Sequence, residues 1–129
     1  MFSKAFLSHA PVVFLFAAAS ASAALPLRPG TFVREGVHCE DAPNAAQFEY
    51  HADGRFSYPH ASNCANVLLD QSRKEYTLRE TCSALGDGTP TDPVTWDTHY
   101  KVSSPTIVKV SKLYGPERRR VTYRLCPAE

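Results

Sequence analysis

Four histidines, His38, His51, His60 and His99, follow the first two dozen residues, and their spacing limits what chemistry they can serve. None stands in an H-x-H or H-E-x-x-H pattern, so no ready-made metal set is present. His38 lies close to Glu40 and Asp41, a grouping that superficially resembles a metal or acid–base cluster but reads as a solvated loop beside a cysteine. Serine is common, yet there is no G-x-S-x-G elbow and no S-x-x-K pair. The cysteines form no C-x-x-C pair for thiol exchange. The run Gly86-Asp87-Gly88-Thr89-Pro90-Thr91-Asp92 looks like a calcium loop. It lacks the alternating acidic order and the closing glutamate, and reads as a turn. Asp and Glu are scattered too widely for any carboxylate pair to stand out. The expectation is a protein without catalytic residues, metal or cofactor.

The cysteines point elsewhere. Lys4, the uncharged run from Pro11 to Ala19, and the small-x-small sequence Ala21-Ser22-Ala23 have the layout of a cleavable export signal. The apolar run is too short to span a bilayer comfortably. Residues 1–23 are therefore expected to be a signal peptide and 24–129 a single β-rich domain, periplasmic or secreted, with no membrane span after cleavage. In such a compartment Cys39, Cys64, Cys82 and Cys126 read as two disulfides. Their intervals of 24, 17 and 43 residues do not suit a four-thiolate zinc site. A 106-residue domain has a modest core and gains from covalent staples.

Ten prolines and six glycines punctuate short alternating runs, the pattern of an all-β chain. Strands are expected at 31–34, 47–51, 55–58, 67–70, 75–82, 94–102, 106–113 and 118–126. Asp53-Gly54 is read as a type I′ hairpin turn, with Phe48, Tyr50, Phe56 and Tyr58 inward. Tyr76 and Leu78 face inward on the fifth strand, and Val94, Trp96, Thr98, Tyr100 and Val102 share a face of the sixth, leaving His99 outside. Eight short antiparallel strands predict a small up-and-down barrel or curled sheet, since closure protects edges. A turn at Ser72-Arg73 sets Cys64 opposite Thr81, one step from Cys82. That favours Cys64–Cys82, worth roughly 3 kcal/mol of chain entropy, and leaves Cys39–Cys126 by elimination. A strict meander puts Cys39 and Cys126 at opposite ends. Either a strand is miscounted, or the chain around Cys39 wraps back, or the pairs are Cys39–Cys64 and Cys82–Cys126.

Charge is lopsided. Residues 24–99 carry 6 basic and 11 acidic side chains, whereas residues 100–129 carry 7 and 2. With Gly115-Pro116 as the last turn, Arg118 faces Leu113, Arg120 faces Ser111, Thr122 faces Lys109 and Arg124 faces Ile107. Val110 then meets Val121, and Val108 meets Tyr123. The apolar and polar sets separate onto two faces, which supports the register. Lys109, Arg118, Arg120 and Arg124 gather outside, where they suit an anionic envelope component or an acidic protein. The same charges would also discourage strand-to-strand aggregation. Nucleic acid is not an expected partner, given the compartment.

The segment Leu27-Arg28-Pro29-Gly30-Thr31-Phe32-Val33, Cys39 with Asp41-Ala42-Pro43, the Asp53-Gly54 turn, Cys64, and Tyr76 through Cys82 together resemble a group of small, uncharacterised bacterial periplasmic proteins. The shared features are turns and cysteines and imply no activity. At the level of fold the chain is also similar to periplasmic lysozyme inhibitors, whose inhibitory loop has no counterpart here. That likeness implies a second function, an inhibitor or immunity-type protein against a cell-wall hydrolase. A third is a small-ligand-binding barrel with an interior lined by Phe48, Phe56, Tyr58, Trp96, Tyr100 and Tyr123, residues that also serve as an ordinary core.

Overall fold

The structure is a computed structural model and describes residues 10–12, 22–113 and 119–128. Its strands are β1 Gly30–Arg34, β2 Gln47–Tyr50, β3 Phe56–Ser57, β4 Ala61–Ser72, β5 Glu75–Leu85, β6 Pro90–Ser104, β7 Ile107–Lys112 and β8 Val121–Leu125. Each pairs antiparallel with its successor, and β8 pairs with β1, so the sheet is a closed up-and-down barrel. Closure satisfies both outer strands, which would otherwise present free backbone groups. Among the described residues no helix is long and apolar enough to cross a membrane.

Alternation decides what lies inside. Phe32, Phe48, Tyr50, Phe56, Leu78, Tyr100, Val102 and Val108 are buried on the inner face. Phe32 stacks on Phe48 at 5.2 Å between ring centres, and Phe56 stacks on Tyr100 at 5.2 Å. The β7–β8 register is Ile107 with Arg124, Val108 with Tyr123, Lys109 with Thr122 and Val110 with Val121, as the apolar pattern requires. The Gly115-Pro116 turn assigned to this hairpin lies outside the described residues, as does Arg118.

Two turns differ from expectation. Tyr50 pairs with Phe56, and the His51 and Arg55 backbones are joined at 2.9 Å, which leaves a three-residue loop of Ala52, Asp53 and Gly54. Of these only Gly54 has a positive φ, 86°, so this is a turn closed by one left-handed glycine rather than a type I′ turn, which needs two such residues. Asp53 stabilises it by accepting the Arg55 N–H at 3.0 Å. In the second hairpin Ser72 pairs with Glu75, one residue later than predicted, with Arg73 at φ 56°. That turn alone would set Cys64 opposite Ser83. A register shift between Leu68 and Asp70 brings it back to Cys82, as a bulge does.

Both disulfides are therefore Cys64–Cys82 and Cys39–Cys126. The apparent conflict over Cys39 is resolved by the β1–β2 connection. After Arg34 the chain bonds to Thr122 through the Glu35 N–H, then passes through short 3-10 turns at Cys39–Asp41 and Asn44–Ala46. This wrap doubles back to Cys126, whose N–H meets the Thr31 carbonyl at the start of β1. Val33, which alternates to the opposite face from Phe32, is also fully buried.

An N-terminal strap closes one end. Leu25 and Leu27 are buried, and the Tyr50 hydroxyl both accepts the Leu25 N–H at 3.0 Å and donates to the Leu25 carbonyl at 3.1 Å. Ala23 donates its N–H to the Asn66 carbonyl, and Arg28 to the Pro105 carbonyl. The opposite end carries the Tyr58–His60 bend and the Gly86–Thr89 loop. A Cβ at Gly86 would collide with the Pro59 carbonyl, so glycine there lets the two loops close on one another.

Candidate functional site

Two places in the barrel concentrate polar groups, one inside and one outside. Inside, β5 alternation carries Glu80 into the core after Tyr76 and Leu78, where it is 0% exposed. Its oxygens accept from the Tyr58 hydroxyl at 2.6 Å, the Tyr100 hydroxyl at 2.9 Å and the Trp96 indole N–H at 3.2 Å. The two tyrosine hydroxyls are 3.2 Å apart. A buried carboxylate is tolerable only when its lone pairs are satisfied, and three donors from β6 and the β3–β4 bend do this. Burial first, and then Tyr100 and Glu80 in the case of Tyr58 and Glu80 in the case of Tyr100, push both tyrosine hydroxyls well above their ordinary range. They remain protonated donors at neutral pH.

Above this cluster the barrel opens into a cavity of about 200 Å³. Phe48, Tyr58 and Tyr123 form aromatic walls, joined by Thr98, Tyr100, Val110 and Lys112 and by the polar residues Asn44, Gln47 and His60. Phe48 meets Tyr123 edge-on at 5.0 Å and Tyr58 at 6.3 Å. Thr98 is 1% exposed, and its side chain stands beside the Tyr100 hydroxyl, where it tempers that group's upward shift. Four of the six aromatic residues expected from the sequence line this cavity: Phe48, Tyr58, Tyr100 and Tyr123. Phe56 lies deeper in the core, and Trp96 stands behind Tyr58 at 5.9 Å.

Outside, the predicted basic residues meet different fates. Lys109 and Arg124 lie on the outer wall at adjoining positions of β7 and β8. Arg120 is on the same wall but reaches across to Glu75 at 3.3 Å. His99 approaches the same Glu75 oxygen at 3.5 Å and Thr77 at 3.2 Å. The residue missed from sequence is Lys101, which pairs directly with Lys109 across β6 and β7. Neither lysine, nor Arg124, has an ion pair among the described residues. The pattern that could have revealed Lys101 is the β6–β7 hairpin, since Tyr100 with Val110 and Val102 with Val108 fix its register by the same logic as the last hairpin.

Among the described residues no group of three His, Cys, Asp or Glu side chains could hold a metal, and His38 stands beside the 3-10 turn without a capping bond. His51 hydrogen-bonds Ser57 at 2.7 Å across the first hairpin. Asp87 accepts the Thr89 N–H at 2.9 Å, which holds its pKa below the ordinary carboxylate range and closes the loop once compared with a calcium site.

The chain is thus a small, closed, eight-stranded antiparallel barrel stapled by two disulfides, with a polar core cluster, a cavity above it and a cationic outer wall. No protein-family model matches it, and comparison with curated proteins and with solved structures finds no significant match.

Proposed function

We propose that this protein is an exported, non-enzymatic binding module whose β6–β7–β8 wall takes an anionic, phosphate-bearing envelope component. The observation that carries this reading is the direct opposition of Lys101 and Lys109. Like charges facing each other on neighbouring strands cost stability, by up to about 1 kcal/mol, a cost that Glu75, opposite Lys101 on β5, offsets in part, and a partner that shares both lysines turns the remainder into affinity. Arg124 extends the cluster onto β8. Arg120 contributes less, because Glu75 already holds it.

Binding to vesicles containing phosphatidylglycerol, against zwitterionic vesicles, tests the proposal. Each basic residue at an anionic surface contributes about 1 kcal/mol, so replacing Lys101, Lys109 and Arg124 together by Gln should weaken binding by about 10²-fold. Binding by the parent protein should also fall steeply as salt shortens the screening length. A parent that ignores anionic vesicles at low salt would sink the reading.

A further inference from the structure

Ser22 and Ala23 are held by the barrel, although composition assigns them to the leader. They lie against β4 just past the point where the short β3 leaves it, at Phe56 and Cys64. The Ala23 N–H donates to the Asn66 carbonyl at 3.2 Å, and the Asn66 N–H donates to the Ser22 hydroxyl at 3.3 Å. A Cβ at Gly54 would stand 3.2 Å from the carbonyl oxygens of both Ser22 and Ala23, so the first hairpin leaves room for these residues. Asn66 is 3% exposed, and its Nδ2 donates to the Gly54 carbonyl at 2.7 Å. Its Oδ1 has no hydrogen-bond partner among the described residues. A buried amide oxygen without a donor costs stability.

Export leaders are cut after a small-x-small pattern, and the sequence holds that pattern in overlap, as Ala19-Ser20-Ala21 and as Ala21-Ser22-Ala23. A cut after Ala23 discards both contacts to Asn66. A cut after Ala21 keeps them and creates a free amine on Ser22, three bonds from the hydroxyl that already meets Asn66. We propose that hydrolysis of the Ala21–Ser22 bond makes the mature chain, and that the new Ser22 ammonium docks in the Gly54–Asn66 notch with Asn66 Oδ1 as its acceptor. Water divides between the two new ends: its oxygen stays with the Ala21 carboxylate, and both its protons pass to the Ser22 amine. An α-amino group with a pKa of about 8 is mostly charged at neutral pH. Arg55, the arginine of that hairpin, is already paired with Asp53 at 3.5 Å and does not oppose it. The inference rests on the export reading made above, and moves the mature start two residues earlier than composition alone suggests.

Intact-mass measurement of the full chain after export from a bacterial host separates the two cuts. The expected mass is that of residues 22–129 with both disulfides formed. A mass for residues 24–129 overturns the proposal and leaves the export reading standing, whereas a chain that keeps its leader overturns the export reading itself. Chains released from a cleavable fusion with Ser22 or Ala24 as first residue then test the docking. Two hydrogen bonds and one charge-assisted contact separate them, so the folding equilibrium constant of the Ala24 chain should be lower by about 10²-fold, read from urea midpoints. Acetylating the Ser22 amine removes the charge alone and should lower that constant by about tenfold. Equal midpoints for the Ser22 and Ala24 chains, or an acetylated chain as stable as the free one, overturn the docking.

Discussion

Replacing Glu80 by Leu tests whether the polar cluster holds the barrel or merely occupies it. The substitution removes the acceptor for three donors at once. Tyr100 is 1% exposed, so its orphaned hydroxyl bears a cost of about 2 kcal/mol within the usual range for buried unsatisfied groups. Tyr58 keeps the Tyr100 hydroxyl as a partner at 3.2 Å and Trp96 is only partly buried, so about 1 kcal/mol each is reasonable. The leucine returns part of this by burying apolar surface, about 1–2 kcal/mol. The net expectation is a loss of about 2–3 kcal/mol, a large share of a small domain's stability. In urea that corresponds to a midpoint lowered by about 1–2 M. The companion measurement separates orphaned donors from a simple packing defect. Tyr100→Phe should cost about 1 kcal/mol in the parent and nothing, or less than nothing, in the Glu80→Leu background. If Glu80→Leu unfolds at the parent midpoint and Tyr100→Phe costs the same in both backgrounds, the donors do not depend on the carboxylate and the reasoning fails.

The disulfides should differ in worth by their loop lengths. Cys64–Cys82 spans 18 residues and Cys39–Cys126 spans 87, so paired Cys→Ala changes should cost about 3 and about 4.6 kcal/mol respectively in the chain-entropy model, and urea midpoints in the reverse order would contradict it. Alkaline pH should destabilise the fold. Tyr58 and Tyr100 titrate above the unfolded value near 10, so stability is intact below about pH 10 and falls as the unfolded chain loses protons that the barrel retains, by about 1.4 kcal/mol per pH unit for each hydroxyl. Replacing either residue with Phe should flatten the decline of the urea midpoint, and an unchanged slope would show that these hydroxyls do not govern it.

Where side-chain alternation was unbroken, the sequence was a reliable guide. Val108, Val110, Val121 and Tyr123 could face inward in only one register, and that register is present. The disulfide partners followed from the second hairpin even though its turn lies one residue later and an unexpected bulge interrupts the ladder between Leu68 and Asp70, because the two shifts partly cancel. Long-range closure was harder to read. The wrap around Cys39 has no periodicity, and the strap depends on Tyr50, 25 residues from its partner Leu25. Glu80 was visible in principle, since Tyr76 and Leu78 inward put Glu80 inward too. A charged residue at a core position is plausible only once its donors are known, and these come from 16 to 22 residues away. Lys101 was overlooked for a simpler reason: the same register logic applied to the neighbouring hairpin identifies it.

The pairing of β1 with β8, tied by Cys39–Cys126, also constrains the order in which the barrel can form. Neighbouring hairpins such as β4–β5 need only local chain and can form early. The first strand finds its second partner only when the last strand is available, and that contact carries most of the loop-closure entropy. A chain still being synthesised therefore has an open sheet with two exposed edges, the state most exposed to misassembly. Completion waits on the C-terminal residues, and oxidation of Cys126 then makes the closure difficult to reverse.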